Sequence, residues 1–143
     1  MKLLVTVKEV AEVDDEFTID GLDVDESYLE YDLNEWDDYA IEEAVQLSEA
    51  NDDVEVVTVT VGPERADETI RMALAKGADR ALRVWDDALA DAQYLDAGTK
   101  AALLEPVIEA EEPDLVLSGV QSRRRSRRPT GRPSGRDPAP PPR

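Results

Sequence analysis

With no cysteine and no histidine, this chain of 143 residues has to build any chemistry from carboxylates, hydroxyls, amides and backbone N–H groups. Disulfides, thiolate metal sites and imidazole general bases are excluded, and zinc would have only carboxylates to use. Pairs such as Asp37 with Asp38, or Glu42 with Glu43, have the residue type of an acid/base dyad. They are nevertheless expected to be solvated helix faces. There is no GxxxxGK[ST], no GxGxxG and no nucleophile with a histidine base. Trp36 and Trp85 have rings able to stack on a nucleobase, but a tryptophan beside an apolar face is expected to pack against it. What these residue types leave is a binding fold.

Charge divides the chain sharply. It carries 16 Lys+Arg against 34 Asp+Glu, net −18. From Arg123 onward there are eight arginines and one acid, Asp137, so residues 123–143 carry +7 and residues 1–122, with 8 basic and 33 acidic groups, carry −25. The break marks a boundary. Residues 1–122 suffice for one ordinary domain, which would bury roughly two thirds of its unfolded surface. A body at −25 repels nucleic acid and anionic lipid, so neither is expected as a partner. Its acidity, with only four lysines (Lys2, Lys8, Lys76 and Lys100), reads as halophilic adaptation, since the Debye length falls to about 3 Å at 1 M salt. "MKLLVTVKEV" has too short an apolar run for a signal peptide, and no stretch nears the roughly 20 apolar residues of a membrane span. A cytoplasmic location without membrane insertion is expected.

The elements that must position any site follow from periodicity. "KLLVTVK", Lys2 to Lys8, reads as a buried strand. A long excursion follows, with a turn signal at Asp20-Gly21 and room for a short hairpin. Asn34 is placed to cap a helix whose first turn holds Glu35, Asp37 and Asp38, whose apolar face is Ala40, Ala44, Val45 and Leu47, and which should end near Asn51. Val54 to Gly62 is the clearest strand. After Pro63 a helix turns Ala66, Ile70, Ala73 and Leu74 inward and stops at Gly77, where a left-handed cap is wanted. Arg80 to Val84 is a third strand. Asp96 to Ala110 is a helix that Pro106 should kink or end. Asp114 to Gly119 is a fourth strand.

Strands alternating with helices at this spacing predict an α/β fold, a mostly parallel twisted sheet of Rossmann-like kind. Such sheets bind ligands beyond the carboxyl ends of the strands, where strand order reverses. If the first strand lies between the second and fourth, Thr6 to Lys8, Val61-Gly62 and Gly119 to Ser122 converge there.

Four blocks, "MKLLVTVKEV", "YDLNEWDDYAIEEAVQLSEA", "VVTVTVGPERADETIRMALAKGADRALRV" and "PDLVLSGVQS", in this order and spacing, resemble the amino-terminal half of the electron transfer flavoprotein beta subunit family, which includes FixA-like proteins. The resemblance covers residues 1–122 and implies an electron carrier, not an enzyme in its own right. It would work as a heterodimer with an alpha subunit between flavin dehydrogenases, such as acyl-CoA dehydrogenases, and a membrane quinone oxidoreductase. It implies FAD, held mainly by the alpha subunit and another part of the beta subunit, and AMP or a second FAD in this domain. The nucleotide contacts it implies fall at Thr6, at Asn34, Glu35, Trp36 and Asp37, at Val61, and at Gly119, Val120, Gln121 and Ser122. No metal site is implied.

The departure begins after Ser122. The family continues there into an acidic, polar phosphate loop, typically with consecutive aspartates, whereas this chain runs into "RRRSRRP". Arg, Pro, Gly, Ser and Ala are residues of GC-rich codons, and arginines read CGA-CGA-CGC become GAC-GAC-GC, Asp-Asp-Ala, when shifted by one base. Residues 123–143 are therefore expected to be a disordered tail in a shifted reading frame. An evolved basic arm is the competing account, opposed by six prolines and by the absence of aromatics. For the body, the alternatives to the carrier subunit are a stand-alone adenine-nucleotide sensor of universal-stress type and a truncated product without function.

Overall fold

An uncharged run of valine and threonine from Val56 to Val61 suits a strand covered on both faces, and such a strand anchors the sheet. In chain order the elements are β1 (Lys2–Thr6), β2 (Glu9–Val13), β3 (Ile19–Asp20), β4 (Asp23–Val24), β5 (Leu29–Leu33), α1 (Glu35–Glu49), β6 (Glu55–Val61), α2 (Asp67–Ala75), β7 (Arg80–Val84), α3 (Ala97–Glu111) and β8 (Leu115–Ser118). The structure, a computed structural model, describes residues 1–14, 19–21, 23–90 and 95–120. The expected tail, 123–143, lies outside the described residues, as do Gln121 and Ser122.

The main sheet has the order β7-β6-β1-β8, all parallel, as the spacing predicts. Alternate residues of β6 face opposite layers. Val56 joins Leu3, Val5, Ile41, Ala44 and Ala73 under α1 and α2, while Val57 and Val59 join Leu4 under Leu104, Val107 and Ile108 of α3. The excursion after β1 is an antiparallel ribbon of β2 with β5. The short hairpin falls at β3/β4, with Gly21 at φ 66 in its turn.

Several expectations are corrected in detail. Leu47 and Leu74 do not face inward but are 37% and 40% exposed; on their helices it is Ile41 and Thr69 that are buried. Pro63 precedes a 3-10 turn, Glu64–Ala66, rather than opening α2. α3 runs through Pro106 without ending there, because Leu104, Val107 and Ile108 on either side of the proline are held against the sheet. It stops instead at Glu112, left-handed at φ 47 without a glycine. Gly77, at φ 118, terminates α2 as expected.

The amino edge of the sheet is clamped by one carboxylate. Glu111, at the end of α3, accepts from Arg80 Nη2 at 2.7 Å and Lys2 Nζ at 3.2 Å, and Arg80 Nε reaches Glu55 at 2.7 Å. The hydrogen bonds from Arg80, then Lys2, hold the Glu111 carboxyl down at about 2. A folded-state value below the unfolded one near 4.5 means that this stabilisation is full above the unfolded value and is lost as pH falls toward about 2. Glu111→Gln should therefore melt below wild type at neutral pH, and the gap should close on acidification. A gap in melting temperature that stays constant down to about pH 2 would contradict the clamp.

Candidate functional site

Strand order reverses between β1 and β8. β6 and β7 lie to one side of β1 and β8 to the other, α1 packs on one face of the sheet and α3 on the opposite face, and the backbones must part at the carboxyl ends. The start of α1 lies beside this opening. Asp37 is only 5% exposed; its Oδ2 accepts from Lys8 N at 2.8 Å and its Oδ1 from Gly119 N at 3.0 Å. Asn34 N donates to Lys8 O at 3.0 Å, and Asn34 O accepts from Asp37 N at 3.0 Å and Asp38 N at 2.9 Å. The convergence of Thr6–Lys8 with Gly119 is thus as predicted, and the α1 start is part of it.

Asn34 holds the N-cap position, but its side chain makes no capping hydrogen bond. That corrects the expected side-chain cap and leaves a buried amide, 3% exposed, at the crevice. Asp37 stands at the third helical position, where an acid commonly reaches back to the N-cap N–H. Lys8 O already takes that N–H, so the carboxylate turns to the two strand ends. The expectation of a solvated Asp37–Asp38 pair is therefore overturned: Asp37 is buried, and Asp38, half-buried, pairs with Lys76 Nζ at 2.7 Å. That hydrogen bond raises the Lys76 pKa. Glu42 and Glu43 are exposed, as expected.

The other expected site residues are less uniform. Thr6 is half-buried and in register with Ser118 and Val59. Val61 ends β6, two residues past Val59. Glu35 is exposed, and Trp36 is 45% exposed rather than packed, meeting Tyr39 edge-on at 5.8 Å. Val120 is 88% exposed; Gln121 and Ser122 lie outside the described residues. Trp85 is half-buried and lines a cleft of about 600 Å³ with Pro63, Glu64, Arg83, Asp86 and Asp87. That cleft lies past β6 and β7, away from the reversal point. The reversal point is the better candidate because parallel sheets bind ligands where strand order turns back. Among the described residues no cluster of three metal-ligating side chains occurs, and no helix is long and apolar enough to cross a membrane.

Gly119 was expected at the site, but its steric necessity was not. A Cβ there would overlap Asp37 Oδ1 and lie 2.8 Å from both Asp37 N and Trp36 C. The signal was a glycine ending an apolar strand at the reversal point, where backbone approaches closely. Gly119→Ala should cost about 1–3 kcal/mol by overpacking. Thermal melts check it, and an unchanged midpoint would mean that β8 and α1 do not touch as described.

The electron transfer flavoprotein domain family matches residues 21–130. The electron transfer flavoprotein subunit beta of Methylophilus methylotrophus is 55% identical over 125 residues, covering 85% of this chain and 46% of the relative. The subunits beta of Bradyrhizobium diazoefficiens and Homo sapiens are each 36% identical over 124 residues, covering 85% of this chain and 48% of the relative. The chain spans about half the length of the curated relatives it matches.

Proposed function

Because the chain belongs to the electron transfer flavoprotein domain family, we propose that its sheet is the adenine-nucleotide-holding part of a beta subunit, an electron carrier rather than an enzyme. In this reading it pairs with an alpha subunit and passes electrons from flavin dehydrogenases to a quinone oxidoreductase, in the cytoplasm and at high salt. The observation behind it is the crevice where strand order reverses, with a buried Asn34 amide that capping does not use.

These residues fit an adenosine. The Asn34 amide offers both donor and acceptor to a ribose hydroxyl or a base edge. Thr6 and Val61 line the neighbouring strand ends, and the exposed indole of Trp36, beside Glu35, presents a ring for stacking. Gly119 N–H is engaged by Asp37, so backbone donors to a phosphate fall to Val120, Gln121 and Ser122. AMP, or the adenosine half of a second FAD, satisfies this set. No described cluster fits an isoalloxazine ring, which is assigned to the site shared with the alpha subunit; bound there, flavin supplies the redox chemistry.

Residues 123–143 are assigned to a shifted reading frame beginning near Ser122. Supporting this are the change from −25 to +7 at that point and the relatives' coverage of 85% of the chain. Resequencing across the Ser122 codon tests the frame. A frame-corrected gene coexpressed with an alpha subunit should yield a yellow complex that retains flavin through purification. A colourless, folded heterodimer would overturn the carrier assignment.

A further inference from the structure

We propose that Asp37 is a positioning residue, a latch between the two strand ends that sets the mouth of the crevice. The latch stands on geometry alone, while its purpose rests on the nucleotide reading above.

The β1–β8 ladder ends at the Thr6–Ser118 pair. Beyond it Lys8 leads into β2 and Gly119 follows the last residue of β8, and among the described residues no ladder bond joins the two chains there. Asp37 supplies that link with one carboxylate, an oxygen to each backbone N–H, at 2.8 and 3.0 Å. Both bonds run from a backbone N–H to a carboxylate on a buried residue, the stronger kind of hydrogen bond. The carboxylate also lies in the first turn of α1, where the helix dipole favours negative charge. The fit requires a residue without a Cβ at 119, since a side chain there would enter the space of Asp37 Oδ1. Gly119 is thus held at a fixed point, and with one backbone N–H on each oxygen and only 5% of the residue exposed, Asp37 is placed to position backbone.

The test uses the 143-residue chain. In wild type, NMR scalar couplings across hydrogen bonds should connect the Lys8 and Gly119 amides to the Asp37 carboxyl carbon, a readout that needs no variant. In Asp37→Asn, amide exchange at Lys8 and Gly119 should accelerate about tenfold or more, the loss of roughly one hydrogen bond, while Leu4 and Val57 in the core stay within about twofold, because local opening leaves globally protected amides unchanged. Absent couplings, or acceleration shared equally by the core amides, would overturn the latch. Adding millimolar AMP separates the two proposals. Shifts at Asn34 and Gly119 in wild type, with the Gly119 shift lost in Asp37→Asn, support both; no shift with couplings and protection intact defeats the nucleotide reading and leaves the latch standing.

Discussion

In molar KCl the chain should melt ~10 °C or more above its midpoint in millimolar salt, with more helix by far-UV circular dichroism at room temperature. Residues 1–122 carry 33 carboxylates against 8 cations, and five of those cations, Lys2, Arg65, Lys76, Arg80 and Arg83, already sit in ion pairs. Too few cations exist to offset the remaining repulsion. Salt acts on both terms. It weakens the pairs, which lie largely at the surface and contribute little, and it suppresses a repulsion that sums over every pair of acids within a Debye length, about 30 Å at 0.01 M but about 3 Å at 1 M. The second term is larger, so screening should stabilise. Comparing chloride with sulfate separates screening from the general strengthening of apolar burial by excluded salts. Equal midpoints in low and high KCl would remove the halophilic reading.

How far the sequence exposed this arrangement depends on whether a residue's role was local. β6 is legible because an uncharged Val/Thr run is stable only between two layers, and parallel pairing follows from alternation of strands with helices, whereas the strand order is a supposition in the sequence that the structure bears out. The crevice followed from that order. Asp37 did not, because a carboxylate in a first helical turn looks the same whether it faces water or two strand ends 29 and 82 residues away. Trp36 departs from expectation for a related reason: its packing depends on what lies above α1, and there it meets Tyr39 and solvent. The β2/β5 ribbon was weak in sequence because its alternating face is largely polar, and β2 exposes Ala11, Glu12 and Val13. At Pro106 the rule that proline ends a helix lost to contacts of Leu104, Val107 and Ile108 with the sheet.

Nucleotide binding carries the second large expectation. In a complete beta subunit the crevice would be closed by chain beyond the half that this sequence matches. On the proposed reading this chain would supply Thr6, Asn34, Val61 and Gly119, and five arginines, 123–125, 127 and 128, follow in the sequence. Contacts from the rest of a beta subunit would then be lacking in the chain alone. At about 1 kcal/mol or more for each, three or four such losses weaken binding by roughly 100- to 1,000-fold. The remaining contacts would still give weak, fast-exchanging binding, because the Asn34 amide and the strand ends are already in place.

The most direct measurement is isothermal titration of AMP, and in parallel FAD, into two proteins at molar KCl: the 143-residue chain, and the frame-corrected beta subunit purified with an alpha subunit and stripped of nucleotide. The account predicts tight binding by the complex and a loss of at least ~100-fold by the chain alone. Equal affinity in both, or none in the complex, would contradict the claim that this crevice is the beginning of a nucleotide site that the rest of a beta subunit completes.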